Sequence, residues 1–109
     1  MVNVARGRLH DVRSAPGSGE RVEPIASVGG AVVEQILRGT LDAPVEFVQD
    51  HDEWVVVLAG GAVLEVADET IELTPGDWVL LPAHLPHRVA RAKPHTNWLA
   101  LHVPPSSSG

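Results

Sequence analysis

Apolar residues in this chain come in short, β-branched runs, and turn residues interrupt nearly all of them. Residues 54–58 read Trp-Val-Val-Val-Leu, and 62–66 read Ala-Val-Leu-Glu-Val. Residues 70–73 alternate as Thr-Ile-Glu-Leu, 77–81 open on Asp77 and continue apolar, and 96–103 read Thr-Asn-Trp-Leu-Ala-Leu-His-Val. Runs this short, bounded by turn signals at spacings of roughly 8–12 residues, predict strands of a sandwich or barrel. A helical fold needs longer amphipathic stretches. Only Ala31–Arg38 invites that reading, with Gly39 as a C-cap, but Gly29-Gly30 precede it and its surroundings are β, so it is read as a strand.

The turns have their own chemistry. Gly60-Gly61 supplies positive φ between two strands, and Pro75-Gly76 suits the central positions of a type II turn. Asp68-Glu69 reads as a polar hairpin tip, and Lys93-Pro94-His95 as an exposed bend. The fold class is therefore all-β, a closed barrel or sandwich in one domain. Residues 1–20 are read as an N-terminal strand with a flexible loop at 14–19, residues 21–103 as the barrel, and residues 104–109 (Pro-Pro-Ser-Ser-Ser-Gly) as a disordered tail. The apolar runs at 54–59 and 78–83 predict burial on both faces, which one small barrel does not provide, so a homodimer is expected.

Composition excludes several functions. With no cysteine there is no disulfide, thiolate metal site or thiol nucleophile. A net charge of -6 argues against a nucleic-acid partner, whose phosphates need cations. No apolar run approaches the ~20 residues of a membrane span, and no secretory signal is visible, so a cytoplasmic protein without a membrane partner is expected. The chain has no tyrosine, so no mechanism can use a tyrosine acid.

The most informative stretch for function is Pro75–Val89: a turn, a short apolar strand, a proline-bounded turn, and a strand that begins at His87. Upstream, Gln49-Asp50-His51-Asp52-Glu53-Trp54 leads into another apolar strand and Gly60. Gly76, Asp77, Pro82 and His87 together with Glu53 and Gly60 resemble the two motifs of the small single-domain cupins. The resemblance implies a jelly-roll β-barrel and covers roughly residues 30–103. In that family the first motif has two histidines one residue apart, then a glutamate and a glycine. Here Phe47 and Gln49 stand at the histidine positions, as in a subgroup with glutamine at the second. His84 replaces a glycine of the second motif.

The resemblance implies a metal held by Gln49, Glu53 and His87. A mixed set of amide oxygen, carboxylate and imidazole suits a divalent Fe, Mn, Ni or Zn ion in open coordination. Phe47 cannot bind metal. His51 is chemically a better ligand than Gln49 but sits off the ligand position, in the turn; it is kept as a further candidate. His84 is expected at the rim, His10 and His95 on the surface. A simple hairpin at 94–95 would set His102 opposite His87, whereas a jelly roll sends that strand to the other sheet. Each residue also has a structural reading: Glu53 as a solvated strand end, and Asp50, Asp52 and Glu53 as a solvated acidic turn.

The expected function is a metal-dependent enzyme acting on a small molecule in the barrel, of dioxygenase, isomerase or lyase type, with Glu53 and His87 catalytic. The alternative is a non-catalytic barrel that binds or senses a small ligand or a metal, and the third reading is a purely structural barrel. Arg88 is expected to point away from the site, where it either pairs with a carboxylate or anchors an acidic ligand if the mouth is wide.

Overall fold

The computed structural model describes residues 4–41 and 43–105. Nine strands follow one another: β1 (Glu20–Val28), β2 (Ala31–Arg38), β3 (Val45–Phe47), β4 (Asp52–Ala59), β5 (Ala62–Val66), β6 (Glu69–Leu73), β7 (Trp78–Leu81), β8 (His87–Ala92) and β9 (Thr96–Val103). They form two antiparallel sheets, ordered β1-β2-β9-β4-β7 and β3-β8-β5-β6. Among the described residues no helix is long and apolar enough to cross a membrane.

The predicted strands at 31–38, 62–66 and 96–103 appear with those bounds, and His87 does begin a strand. The expected N-terminal strand within residues 1–20 does not appear: the described residues 4–19 contain a 3-10 turn at Val12–Ser14 and an isolated bridge from Ser18 to Thr40. The first strand begins only at Glu20, where Arg-Val-Glu-Pro-Ile brings alternation after a loop rich in Gly, Ser and Pro. Most of the predicted tail lies outside the described residues. The hairpin tip is Ala67-Asp68 rather than Asp68-Glu69; Ala67 takes φ +52° and Glu69 already pairs with Val66.

Alternation sets the core. One face of β4 and β9 contributes Val55, Val57, Trp98 and Ala100, and the facing sheet contributes Ala62, Leu64, Val66, Leu73 and Val89. These residues are at most 8% exposed. Removing that apolar surface from water is the main stabilising term. The outer face of β4 and β7 is not covered within one chain: Trp78 is 61% and Leu80 55% exposed, and the Trp54 and Trp78 rings lie 6.2 Å apart there. The doubly apolar runs are thus buried on one face only.

Strand β2 is different, because polar groups occupy both of its faces. Glu34, Ile36 and Arg38 face the second sheet, and Gln35 on the opposite face is fully buried. Its amide is satisfied by the chain that precedes the barrel. His10 N donates to Gln35 Oε1 (2.8 Å), and Gln35 Nε2 donates to His10 O (2.9 Å) and to Asn97 Oδ1 (2.9 Å).

Two turns are tied by one hydroxyl. Thr96 Oγ1 donates to Lys93 O (2.6 Å) and accepts from Gly61 N (3.2 Å). Gly60, at φ +81°, lies so close that a Cβ there would meet Thr96 Oγ1 at 2.5 Å and Thr96 Cα at 2.7 Å. Gly76 has φ +94° in the Thr74–Asp77 turn, with open space around it. Gly76→Ala should therefore cost only backbone strain, about 1–2 kcal/mol. Gly60→Ala adds a backbone clash and should cost about 2–4 kcal/mol. Denaturant midpoints of the two variants measure the difference.

Candidate functional site

Between the sheets lies a cavity of about 160 Å³. Ile36, Val55, Leu64, Leu81 and Val89 give it apolar walls, and Glu34, Gln49, Glu53, His87 and His102 give it a polar side. Gln49 arrives on the loop between β3 and β4, and the other polar groups by strand register. Glu53 on β4 lies between Leu81 of β7 and His102 of β9. His87 at the start of β8 lies between Phe47 of β3 and Val66 of β5. The cavity thus has Gln49, Glu53 and His87 among its lining.

Glu53 is the most unusual of these groups. It is 7% exposed, and burial pushes its carboxyl above the ordinary carboxylate range, with the Glu34 carboxylate adding to the rise. His102, His87 and His51 oppose that rise without cancelling it. His87 is 8% exposed and its ring is stacked on Phe47, with centroids 5.5 Å apart. Phe47 is a wall that fixes the His87 ring. His87 Nδ1 donates to Leu85 O at 3.2 Å, which leaves the Nε2 lone pair free.

His51 is not in the cavity. Its Nδ1 donates to Asp50 Oδ1 (3.0 Å), its Nε2 contacts His102 Nδ1 (2.9 Å), and neither nitrogen is left for an ion. His102 is equally engaged, with Nε2 2.7 Å from Glu34 Oε1 and 3.8 Å from Glu53 Oε2. It faces Glu53 from the neighbouring strand; the simple hairpin opposite His87 does not form, because β9 belongs to the other sheet. The acidic turn is divided. Asp50 bonds His51, which holds its carboxyl below the usual range, and Asp52 Oδ1 accepts from Ala83 N (2.9 Å). His84 is exposed on the Pro82–Pro86 turn at φ +65°, and His95 is exposed on its bend. Arg88 points away from the cavity and pairs with Glu65 at 2.8 Å.

The sequence reading missed Glu34 and Arg38. Their signal was present: Glu34, Ile36 and Arg38 alternate along one strand, so charged groups share a face with a core residue. Arg38 is 4% exposed and pairs with Glu20 across β1 and β2.

The expected metal centre can be weighed against this donor set. With Phe47 a stacking partner, both nitrogens of His51 and of His102 engaged, and Glu34 paired with His102, one imidazole, the Glu53 carboxylate and one weak amide oxygen remain. A catalytic transition-metal site ordinarily has three strong protein ligands. Among the described residues no three His, Cys, Asp or Glu side chains are gathered so as to hold an ion. The residues do not fit a bound transition metal.

This fold and site define a cupin barrel, and the chain belongs to the cupin family: the cupin domain model matches residues 32–101. Similar solved structures agree. A proposed mannose-6-phosphate isomerase from Ralstonia eutropha JMP134 has a TM-score of 0.76 at 29% identity, covering 91% of this chain and 100% of that one. A cupin superfamily protein from Desulfitobacterium hafniense has a TM-score of 0.68 at 20% identity, covering 94% and 95%. KdgF from Halomonas sp. has a TM-score of 0.67 at 20% identity, covering 82% of each chain. No curated protein matches the chain significantly.

Two outcomes follow. Protein purified without a chelating tag should contain less than about a tenth of a transition-metal ion per chain and take up none on titration, by elemental analysis. Glu53 also sets a pH dependence. Its folded pKa is raised, so between its ordinary and its folded value the native state holds more protons than the unfolded one. Stability from this group therefore falls as pH rises through that window. Glu53→Gln should remove that slope and stabilise the chain at pH values above the window. Denaturant midpoints of both proteins, measured from about pH 4 to 8, check the sign.

Proposed function

We propose that the barrel cavity binds a small uncharged polar molecule and moves a proton on it, as an isomerase or a lyase does. The observation that carries this reading is Glu53: a carboxyl buried at the cavity wall, held above its ordinary pKa, with His87 and His102 in electrostatic range. A buried carboxyl with a raised pKa can serve as a general acid in its protonated form and as a general base in its ionised form. In its ionised form it takes a proton from the hydroxyl-bearing carbon beside a carbonyl and returns it to the former carbonyl carbon, while the hydroxyl proton passes to the former carbonyl oxygen. His87 Nε2 is free to hold a substrate hydroxyl. The dioxygenase reading is dropped, since it requires a redox metal that the donor set does not suit.

Charge favours an uncharged substrate. Glu20, Glu34 and Glu53 line the cavity against Arg38 alone, and Arg38 is already paired with Glu20. The Ralstonia protein is described as acting on a sugar phosphate. Its reaction class suits this cavity, but a phosphate would meet carboxylates without a free cation.

The experiment is solvent exchange. Wild-type protein in D₂O is incubated with uncharged hydroxy-carbonyl compounds, mannose and fructose among them, and with mannose 6-phosphate, and deuterium on carbon is read by NMR. Incorporation is expected in an uncharged compound, slowed by about 100-fold or more in Glu53→Gln and His87→Gln. No incorporation in any compound would overturn the enzymatic reading in favour of a non-catalytic small-ligand barrel.

We also propose that the chain is a homodimer. Support comes from the outer face of β4 and β7, where Leu58, Trp78 and Leu80 are exposed beside an edge strand. Light scattering should give the mass of two chains, and Trp78→Glu with Leu80→Glu should give one; a monomeric wild type contradicts the proposal.

A further inference from the structure

The barrel cavity has a second polar end, which the chemistry at Glu53 does not use. Strands β2 and β9 pair with Ile36 beside Trp98 and Arg38 beside Thr96, so Arg38 and Trp98 are diagonal neighbours. Both line the cavity, at 4% and 5% exposure. Glu53 and His102 stand in another layer, four residues further along β9, which is roughly 13 Å of strand. Ile36 and Val55 separate the two layers with apolar wall. The cavity is therefore polar at both ends and apolar between them.

Two donors at this end are unmet. Arg38 Nε and Trp98 Nε1 are buried, with no hydrogen-bond partner among the described residues. Two N–H groups cannot serve one another. Glu20 Oε2 is taken by Arg38 Nη2, and the Thr96 hydroxyl is engaged with Lys93 O and Gly61 N. Burying a donor without an acceptor costs free energy, and this end of the cavity does so twice in one diagonal pair. Neither side chain borders the grooves at His51 and Pro104 or at Lys93 and Pro94, so the barrel cavity is the space through which an acceptor reaches them.

Charge decides which acceptor fits. The Arg38 guanidinium already faces the Glu20 carboxylate, and Glu20 lines the same cavity. An incoming anion would meet that carboxylate, and Trp98 brings no charge to offset it. A neutral hydroxyl or carbonyl oxygen accepts an N–H bond without that repulsion.

We propose that Arg38 Nε and Trp98 Nε1 form a second subsite of the cavity, which holds a neutral hydroxyl or carbonyl oxygen at the end of the ligand remote from Glu53. The proposal rests on the reading that the cavity takes a small uncharged polar molecule, and it does not depend on proton transfer. It narrows the ligand to a compound with oxygen at both ends, whose C–H middle lies against Ile36 and Val55. Arg38 and Trp98 are then specificity-determining residues that select the terminal oxygen.

The test uses the full chain labelled with ¹⁵N in tryptophan. It is titrated with mannose, with 6-deoxymannose, which lacks the terminal hydroxyl, and with mannose 6-phosphate. Mannose should move the Trp98 indole N–H resonance in NMR spectra and slow its exchange with solvent, while Trp54 and Trp78, together on the outer face, stay in place. Mannose should bind about 10-fold more tightly than 6-deoxymannose. That preference should shrink in Trp98→Phe and in Arg38→Lys, which keep the ring bulk and the charge beside Glu20 but remove the two donors. Without ligand, Trp98→Phe should be at least as stable as wild type in denaturant, since it deletes an unmet donor. A lower midpoint with an unchanged preference would mean that a buried water holds the donor, and would overturn the subsite. So would an unmoved Trp98 signal with all three sugars, or a larger response to mannose 6-phosphate than to mannose. The wild-type comparison of mannose with 6-deoxymannose decides if a variant does not fold. Deuterium on carbon with an unmoved Trp98 signal would reject the subsite and keep the catalytic reading; a moved signal without deuterium would keep the subsite and reject the catalytic reading.

Discussion

The site exists because β9 is hydrogen-bonded along both edges. It runs antiparallel to β2 on one side and to β4 on the other, and so joins residues far apart in sequence: Glu34 beside Ala100, and Ala100 beside Val55. Period-two alternation then puts Thr96, Trp98, Ala100 and His102 in one row facing inward. The row begins at a fully buried threonine that ties two turns and ends at an imidazole beside a buried carboxyl. Slipping β9 by one residue against either neighbour would turn His102 outward and leave Glu53 without it. Core packing resists that slip, since Trp98 and Ala100 would leave the interior with it.

A barrel this small contains more buried polarity than stability alone would select. Glu53, His87, Arg38, Gln35 and Thr96 are all buried, and the Arg38 Nε and Trp98 Nε1 donors have no partner among the described residues. Such groups ordinarily cost free energy compared with well-packed apolar residues. Gln35 and Thr96 recover much of that cost through hydrogen bonds to backbone groups, and Arg38 through Glu20. Glu53 does not, because its oxygens face a cavity. Uncompensated polarity at one wall of a pocket is the pattern expected where chemistry has been favoured over stability.

Much of this was legible in the chain. Short β-branched runs and turn residues fixed most strands, and the Gly76, Asp77, Pro82 and His87 spacing located one half of the cavity. The remainder depended on register, which local sequence does not encode. Whether His102 meets His87 or Glu53 is decided by which sheet β9 joins, and only long-range pairing settles that. His51 reads as a ligand from its chemistry alone; its real partners, Asp50 and His102, include one that is 51 residues away. Glu34 was hidden inside a strand whose helix-like composition drew attention from its alternation. Burial on both faces was overestimated at Trp78 and Leu80, since apolar character records a preference for cover and not its source.

The Gln35 amide has a consequence for the segment ahead of the barrel. It makes both of its contacts there with backbone atoms, the N–H and the carbonyl of His10. The fastening is therefore indifferent to the side chain at position 10, and proline alone, lacking the N–H, would break half of it. Glu34 is the next residue along β2, so a segment with no strand of its own helps hold still a wall of the cavity. Variation in the composition of that segment should be tolerated freely, while variation in its length would shift the peptide unit that Gln35 grips and be felt one residue away, inside the pocket.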